Sequence, residues 1–130
     1  FRLIPVSPDD WPLLGIHWQN QYYFEKVLPF GLRSSPFIFN QVAEAVEWIL
    51  RHQFAIPIIM HYLDDYLSVP APSLSLASKQ RSIIEEAFIY LGIPLALEKL
   101  EGPVTELTFL GITLNSDRFE ARLPDDKLAD

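Results

Sequence analysis

Asp64 and Asp65 stand side by side between two short apolar segments, and they are the strongest candidates for catalysis in this chain. We expect them at the tip of a β-hairpin, where a two-residue turn would favour Asn-Gly, Asp-Gly or Gly-Gly because those residues tolerate positive φ. Two carboxylates held so close also repel each other, and a divalent cation relieves that repulsion. The pair therefore suggests a magnesium site that activates an attacking oxygen and stabilises a leaving one. A solvated turn with two surface acids is the alternative.

Cysteine and histidine do not supply a further metal site. The chain has no cysteine, so thiolate ligands are excluded. His17, His52 and His61 lack the spacing of metal ligands. His61 alternates with apolar residues of a predicted strand, which favours a hydrogen-bonded structural histidine.

The hairpin belongs to a larger set of predicted strands. Its own strands are Ile56–Leu63 and Tyr66–Val69, apolar runs interrupted by the two carboxylates. Further strands are predicted at Arg2–Val6, Leu13–Trp18, Tyr22–Leu28, Leu95–Leu97, Glu106–Leu114 and Phe119–Arg122. The first three of these would form an antiparallel meander. Short strands that alternate with helical stretches predict an α+β domain.

Two helices complete the predicted core. The first opens at Ser34–Pro36, because serine caps helices and proline fits their first turn. Its apolar face consists of Phe39, Val42, Ala43, Val46, Ile49 and Leu50, and Trp48 is also interpreted as core. The second helix runs from about Ser73 to Leu91 and terminates at Gly92. Its apolar side consists of Leu76, Ile83, Ile84, Ala87, Phe88 and Leu91. A further helix is predicted to begin near Pro124.

Composition bounds the class of protein. The 130 residues fit one domain, and 49% of them are apolar, so a buried core can form without disulfides. No run approaches the roughly 20 apolar residues of a membrane span, and the first residues do not have the layout of a signal peptide. The net charge of -7 argues against a surface that clamps phosphates.

Four boxes in the chain occur in the order typical of one enzyme family. Tyr62–Leu67 resembles the aromatic-x-Asp-Asp box, motif C, of reverse transcriptases, and Leu28–Pro36 upstream resembles motif B. Downstream, Leu91–Lys99 resembles motif D, and Phe109–Ile112 resembles motif E, the primer grip hairpin. Phe1–Pro5 matches the end of motif A. The amino-acid sequence of these segments is most similar to that of DIRS-like retroelements, which carry a tyrosine recombinase. The gypsy group is the next most similar.

The resemblance implies a fold and a domain layout. It implies an α+β polymerase palm, with an antiparallel sheet and two helices packed on one face, as in ferredoxin-like or RRM-like cores. Residues 1–123 would be a partial palm with part of the fingers insertion. Residues 124–130 would begin a thumb or a connecting segment.

The resemblance also assigns metal ligands. Asp64 would bind the metal and Asp65 would be its neighbour at a catalytic site for two Mg²⁺ ions, with Mn²⁺ as the alternative. A third aspartate is expected in motif A, five residues before the aromatic gate that Phe1 matches, which places it before the first residue. Asp9 and Asp10 do not replace it, because they fall in the turn after motif A. We therefore do not expect these 130 residues to polymerise alone.

The remaining boxes imply contacts to nucleotide and primer. The nucleotide-binding candidates are Phe1, Phe30, Gly31, Tyr62 and Lys99, and the primer grip candidates are Phe109, Leu110 and Gly111. Phe1 would block a ribose 2′-hydroxyl, and Phe30 and Gly31 would shape the pocket, although a glycine also simply marks turns before helices. Tyr62 would support the primer end or pack in its strand. Lys99 would assist the leaving pyrophosphate, or is a solvated lysine.

The implied function is that of an RNA-directed DNA polymerase. Its partners would be an RNA or DNA template with primer, deoxynucleotides, and the rest of a parent polyprotein with fingers, thumb and a candidate RNase H, but no membrane. Arg2, Arg33 and Lys99 are the few local candidates for phosphate contacts, so the parent should be less acidic than this chain. Two alternatives are a decayed palm that serves as a scaffold and an unrelated α+β domain with an acidic hairpin tip.

Overall fold

Short strands in this fold pair with strands that are their neighbours in sequence. Along the chain, two long helices separate the paired groups of strands. The computed structural model describes residues 1–128. The helices are α1 (Ser35–His52), α2 (Leu74–Leu91) and α3 (Asp125–Leu128). The strands are β1 (Gly15–Trp18), β2 (Gln21–Phe24), β3 (Ile59–Tyr62), β4 (Asp65–Ser68), β5 (Glu106–Phe109), β6 (Ile112–Asn115) and β7 (Glu120–Arg122). Short 3₁₀ helices cover Pro8–Leu14 and Leu97–Lys99.

The chain divides into two compact units. The first unit contains Phe1–Ile49 and Met60–Tyr66, and it buries Leu28, Ala43 and Val46. The second contains Leu50–Ile59 and the chain from Leu67 onward. Its buried apolar side chains are Leu50, Ile56, Ile59, Ala77, Ala87 and Phe88.

The predicted class, α+β with antiparallel strands, is confirmed, but the strands do not form one sheet. Within residues 1–128 they form a β1–β2 sheet, a β3–β4 sheet and a β5–β6–β7 sheet. The predicted strand Glu106–Leu114 is a hairpin of β5 and β6, because Leu110 and Gly111 adopt φ of 51° and 76° and turn the chain. Positive φ at both loop residues is the pattern of the tight turns that suit twisted hairpins.

Several strands near the amino terminus were wrongly predicted. Arg2–Val6 is irregular apart from one isolated bridge between Pro5 and Val27. Leu13 belongs to the 3₁₀ helix that starts at Pro8, because prolines fix φ and lack the N–H that a strand ladder needs. The meander is therefore reduced to the β1–β2 hairpin. Further along, Leu95–Leu97 is not a strand, and a 3₁₀ helix begins at Leu97.

Both long helices lie where the sequence predicts them. Helix α1 begins at Ser35, and α2 is capped by Ser73, whose side chain accepts a hydrogen bond from the Leu76 N–H at 3.5 Å. Gly92 ends α2 in the left-handed region with φ of 70°. The N–H of the following Ile93 donates to the Phe88 carbonyl at 3.0 Å, which satisfies an end carbonyl of the helix.

The apolar helix faces differ from the prediction at particular positions. Trp48 on α1 is 55% exposed and Leu76 on α2 is 53% exposed, so neither is core. In the first turn of α2 the buried residue is instead the neighbouring Ala77. Among the described residues, no helix is long and apolar enough to cross a membrane.

The carboxyl-terminal segment contains the helix predicted near Pro124. Helix α3 begins at Asp125, directly after Pro124. The last two positions of the predicted segment 124–130, Ala129 and Asp130, lie outside the described residues. The domain boundary at residue 123 stays a prediction.

Candidate catalytic hairpin

The turn between β3 and β4 is formed by Leu63 and Asp64. Asp65 is the first residue of β4, so only one of the two carboxylates lies in the turn itself. Leu63 takes the positive φ of the turn, at 52°. A non-glycine residue there costs about 1 kcal/mol or more. The sequence suggested that the two aspartates fit a tight turn poorly. In the structure, the residue that takes the unfavourable backbone conformation is Leu63 instead.

Both carboxylates are open to solvent. Tyr62 and Asp65 flank the turn, and because side chains alternate along a strand they lie on the face opposite to His61 and Tyr66. Tyr62 is 59% exposed, so its ring is not part of the core. An exposed aromatic ring and two exposed carboxylates are thus presented at the hairpin tip.

The other face of the hairpin is fixed on helix α1. His61 Nδ1 contacts Glu47 Oε2, and His61 Nε2 lies 3.2 Å from Asn40 Oδ1. The Tyr66 hydroxyl donates to the Ala43 carbonyl at 3.2 Å. These contacts connect each strand of the hairpin to the helix, so the turn projects from a supported base. They also confirm that His61 is hydrogen-bonded.

Tyr66 has an altered acidity in this setting. Desolvation by burial, and secondarily the negative charge of Glu47, raise the pKa of Tyr66 to about 12. Both effects disfavour the phenolate. The hydroxyl therefore remains a donor to Ala43 at physiological pH.

Phe1 and Phe30, the predicted nucleotide-pocket aromatics, are in contact. Their ring centroids lie 5.5 Å apart, and Phe39 on α1 adds a third ring, 5.4 Å from Phe1. Phe30 is 73% exposed, so the cluster has an open side. The sequence places Phe39 on the apolar face of α1 but does not predict its contact with Phe1.

Gly31 lies in the turn before α1 with φ of 82°. A Cβ built there would meet no atom of the described structure within 4 Å. The backbone conformation, rather than crowding within the chain, is therefore what requires glycine.

The remaining predicted residues belong to the second unit. Lys99 is exposed at the end of a 3₁₀ helix. Phe109 ends β5, and Leu110 and Gly111 form the turn of the β5–β6 hairpin. A Cβ on Gly111 would lie 2.8 Å from Lys127 Nζ, so a larger residue would displace that side chain.

The described residues contain one candidate carboxylate pair for a metal, Asp64 and Asp65. Among residues 1–128, no group of three or more His, Cys, Asp or Glu side chains could hold a metal ion. Magnesium commonly binds one or two protein carboxylates and completes its shell with water and substrate phosphate oxygens. Asp64 and Asp65 fit that role. Of the predicted phosphate contacts, Arg2 is already paired with Glu25 at 2.6 Å.

The chain matches a known family over most of its length. The family model for reverse transcriptase (RNA-dependent DNA polymerase) aligns with residues 7–114. The chain belongs to the reverse transcriptase family. This excludes the unrelated α+β domain as an interpretation.

Viral proteins are among the relatives of this reverse transcriptase chain. It is 34% identical over 100 residues to Protein P of ground squirrel hepatitis virus (strain 27), covering 77% of the chain and 11% of that protein. It is 29% identical over 101 residues to the Gag-Pro-Pol polyprotein of human T-cell leukemia virus 3 (strain Pyl43), covering 78% of the chain and 7% of the polyprotein. The chain thus spans a small part of these relatives.

A solved structure shares the fold. The foamy viral protease-reverse transcriptase, determined in complex with an RNA/DNA hybrid, matches with a TM-score of 0.72 and 25% identity. The match covers 97% of this chain and 16% of that one. The placement among DIRS-like or gypsy-like elements is not tested by these relatives and stays a prediction.

Proposed function

We propose that this chain is the catalytic palm of an RNA-directed DNA polymerase of a retroelement, DIRS-like or gypsy-like. The observation that carries the proposal is the pair Asp64 and Asp65, exposed on a hairpin that His61 and Tyr66 fix to helix α1 in a chain of this family. The RNA/DNA hybrid bound by the foamy viral relative supports a nucleic-acid partner of the same kind.

The proposed reaction adds a deoxynucleotide to a primer. The primer 3′-hydroxyl loses its proton to water as its oxygen bonds to the α-phosphorus of the nucleotide, the bond from that phosphorus to the bridging oxygen breaks, and pyrophosphate leaves. Two bound Mg²⁺ ions, or Mn²⁺, would supply charge stabilisation at the attacking and leaving oxygens. Asp64 and Asp65 would hold them, so the chain contributes mainly positioning.

The other residues would select and orient the substrates. Phe1, supported by its contacts with Phe30 and Phe39, would exclude nucleotides with a 2′-hydroxyl. Lys99 would assist the pyrophosphate, and Tyr62 with the β5–β6 turn would contact the primer. The parent polyprotein would supply fingers, thumb and the basic surfaces that a chain of net charge -7 lacks.

Primer extension tests the reaction class. The chain, expressed with the sequence that flanks it in its gene, should extend a DNA primer on an RNA template when deoxynucleotides and Mg²⁺ are present. Chelation by EDTA should abolish extension, and added Mg²⁺ should restore it, because the carboxylates alone cannot stabilise the transferring phosphoryl group. Binding of the RNA/DNA hybrid without extension would overturn the proposal and favour a scaffold.

A further inference from the structure

The imidazole of His61 is enclosed between two side chains of helix α1. Its side chain is only 8% exposed. Nδ1 faces the Glu47 carboxylate, and Nε2 lies 3.2 Å from the Asn40 side-chain oxygen. Each ring nitrogen therefore lies beside a side-chain oxygen of α1.

The two partners of the ring lie on α1, and Asn40 is itself held there. Asn40 Nδ2 donates to Glu44 Oε1 at 2.9 Å, which directs the amide oxygen of Asn40 towards His61. The flipped amide would set two oxygens against each other at Glu44, so this orientation is the favourable one. The ring of His61 therefore has an oxygen of α1 beside each nitrogen.

The ring also contacts the other strand of the hairpin. From β4 the neighbour is Tyr66, whose ring centroid lies 5.6 Å from that of His61. The Tyr66 hydroxyl donates to the Ala43 carbonyl of α1 at 3.2 Å. His61 therefore lies where both strands of the hairpin meet the helix.

We propose that His61 is a positioning residue, whose contacts with Glu47 and Asn40 fix the Asp64–Asp65 turn on helix α1. Only Tyr62 and Leu63 separate His61 from Asp64, so loss of these contacts loosens the base of the turn that carries the carboxylate. The catalytic consequence rests on the proposed function, whereas the order of the turn does not.

Backbone amide NMR tests the positioning in the chain itself. His61→Phe should shift the amide resonances of Asp64 and Asp65 and speed their hydrogen exchange, because the base of the turn loses its contacts with Glu47 and Asn40. His17→Phe is the matched control, because His17 is exposed, and it should leave both resonances unchanged. Unchanged Asp64 and Asp65 amides in a folded His61→Phe chain would overturn the proposal.

Kinetics in the gene-context protein tests the positioning. His61→Phe should lower kcat for nucleotide incorporation about tenfold to a hundredfold, because a displacement of about 1 Å at a catalytic group has effects of that size. KM for the nucleotide should be unchanged, and the matched control His17→Phe should behave like the unaltered protein. An unchanged kcat in a folded His61→Phe protein would contradict the positioning role while the proposed reaction stands. Lack of extension by the unaltered protein would instead refute the reaction and leave the NMR result valid.

Discussion

Residues without any catalytic chemistry of their own decide where Asp64 and Asp65 lie. Leu63 accepts the positive φ of the turn, and His61 and Tyr66 connect the two strands to α1. The carboxylates were found from sequence because their flanks form a local motif. Asn40 and Glu47 were not found, since they lie 21 and 14 positions before His61 and only folding brings them to it.

Tyr66→Phe should destabilise the fold modestly. Loss of the hydrogen bond to the Ala43 carbonyl should reduce the free energy of unfolding by about 1 kcal/mol. Urea denaturation at neutral pH measures this. Tyr22→Phe is the matched control, because Tyr22 is 85% exposed and its change should have little effect.

Tyr66 should also make stability depend on alkaline pH. Its pKa is raised from 10.0 to about 12 in the folded state, so the unfolded chain releases the phenolic proton first as pH rises. Its contribution is therefore complete below pH 10 and is lost as pH rises to about 12. Unfolding free energies across this window should fall less steeply in Tyr66→Phe than in the unaltered chain. An identical slope in both would contradict the assigned burial.

At the level of elements, helices were predicted better than strands. The termini of α2 depend on local signals, the Ser73 cap and Gly92, which sequence displays directly. Strands depend on partners: the apolar Arg2–Val6 pairs at one bridge only, and Pro8 and Pro12 convert the next segment into a 3₁₀ helix. Burial at single helix positions such as Leu76 also depends on tertiary packing and could not be read from periodicity.

Gly92→Ala tests the end of α2. With φ of 70° at this position, a Cβ should cost about 1 kcal/mol of stability. The space itself is open, so the cost is one of backbone conformation. Gly15→Ala is the matched control, because Gly15 has φ of -73° and its Cβ would meet the Tyr23 carbonyl at an ordinary 3.9 Å. Chemical denaturation should show a loss for the first variant alone, and equal values would refute the strain.

At the scale of the whole molecule, the acidic composition argues against nucleic-acid binding, whereas the family favours it. The size of the relatives reconciles the two. A net charge of -7 is unfavourable for binding phosphate backbones. The chain, however, spans only 7% to 11% of the two curated relatives described above. The sequence order of the boxes predicted the family correctly, while the separation of the strands into three sheets depends on long-range pairing that no box encodes.

The central claim is that the Asp64–Asp65 hairpin is the metal-binding centre of a polymerase, and one pair of variants tests it most directly. Single-turnover primer extension on an RNA template should be compared for the unaltered gene-context protein, Asp64→Asn and Asp9→Asn. Mutation of residues that only orient a metal ligand typically lowers activity about 10- to 100-fold. Asp64→Asn changes a proposed ligand itself, so it should reduce the rate by more than about a hundredfold. Asp9 is exposed in the 3₁₀ helix Pro8–Leu14, away from the hairpin in sequence, so Asp9→Asn should extend primers normally. Equal rates for all three proteins would contradict the account.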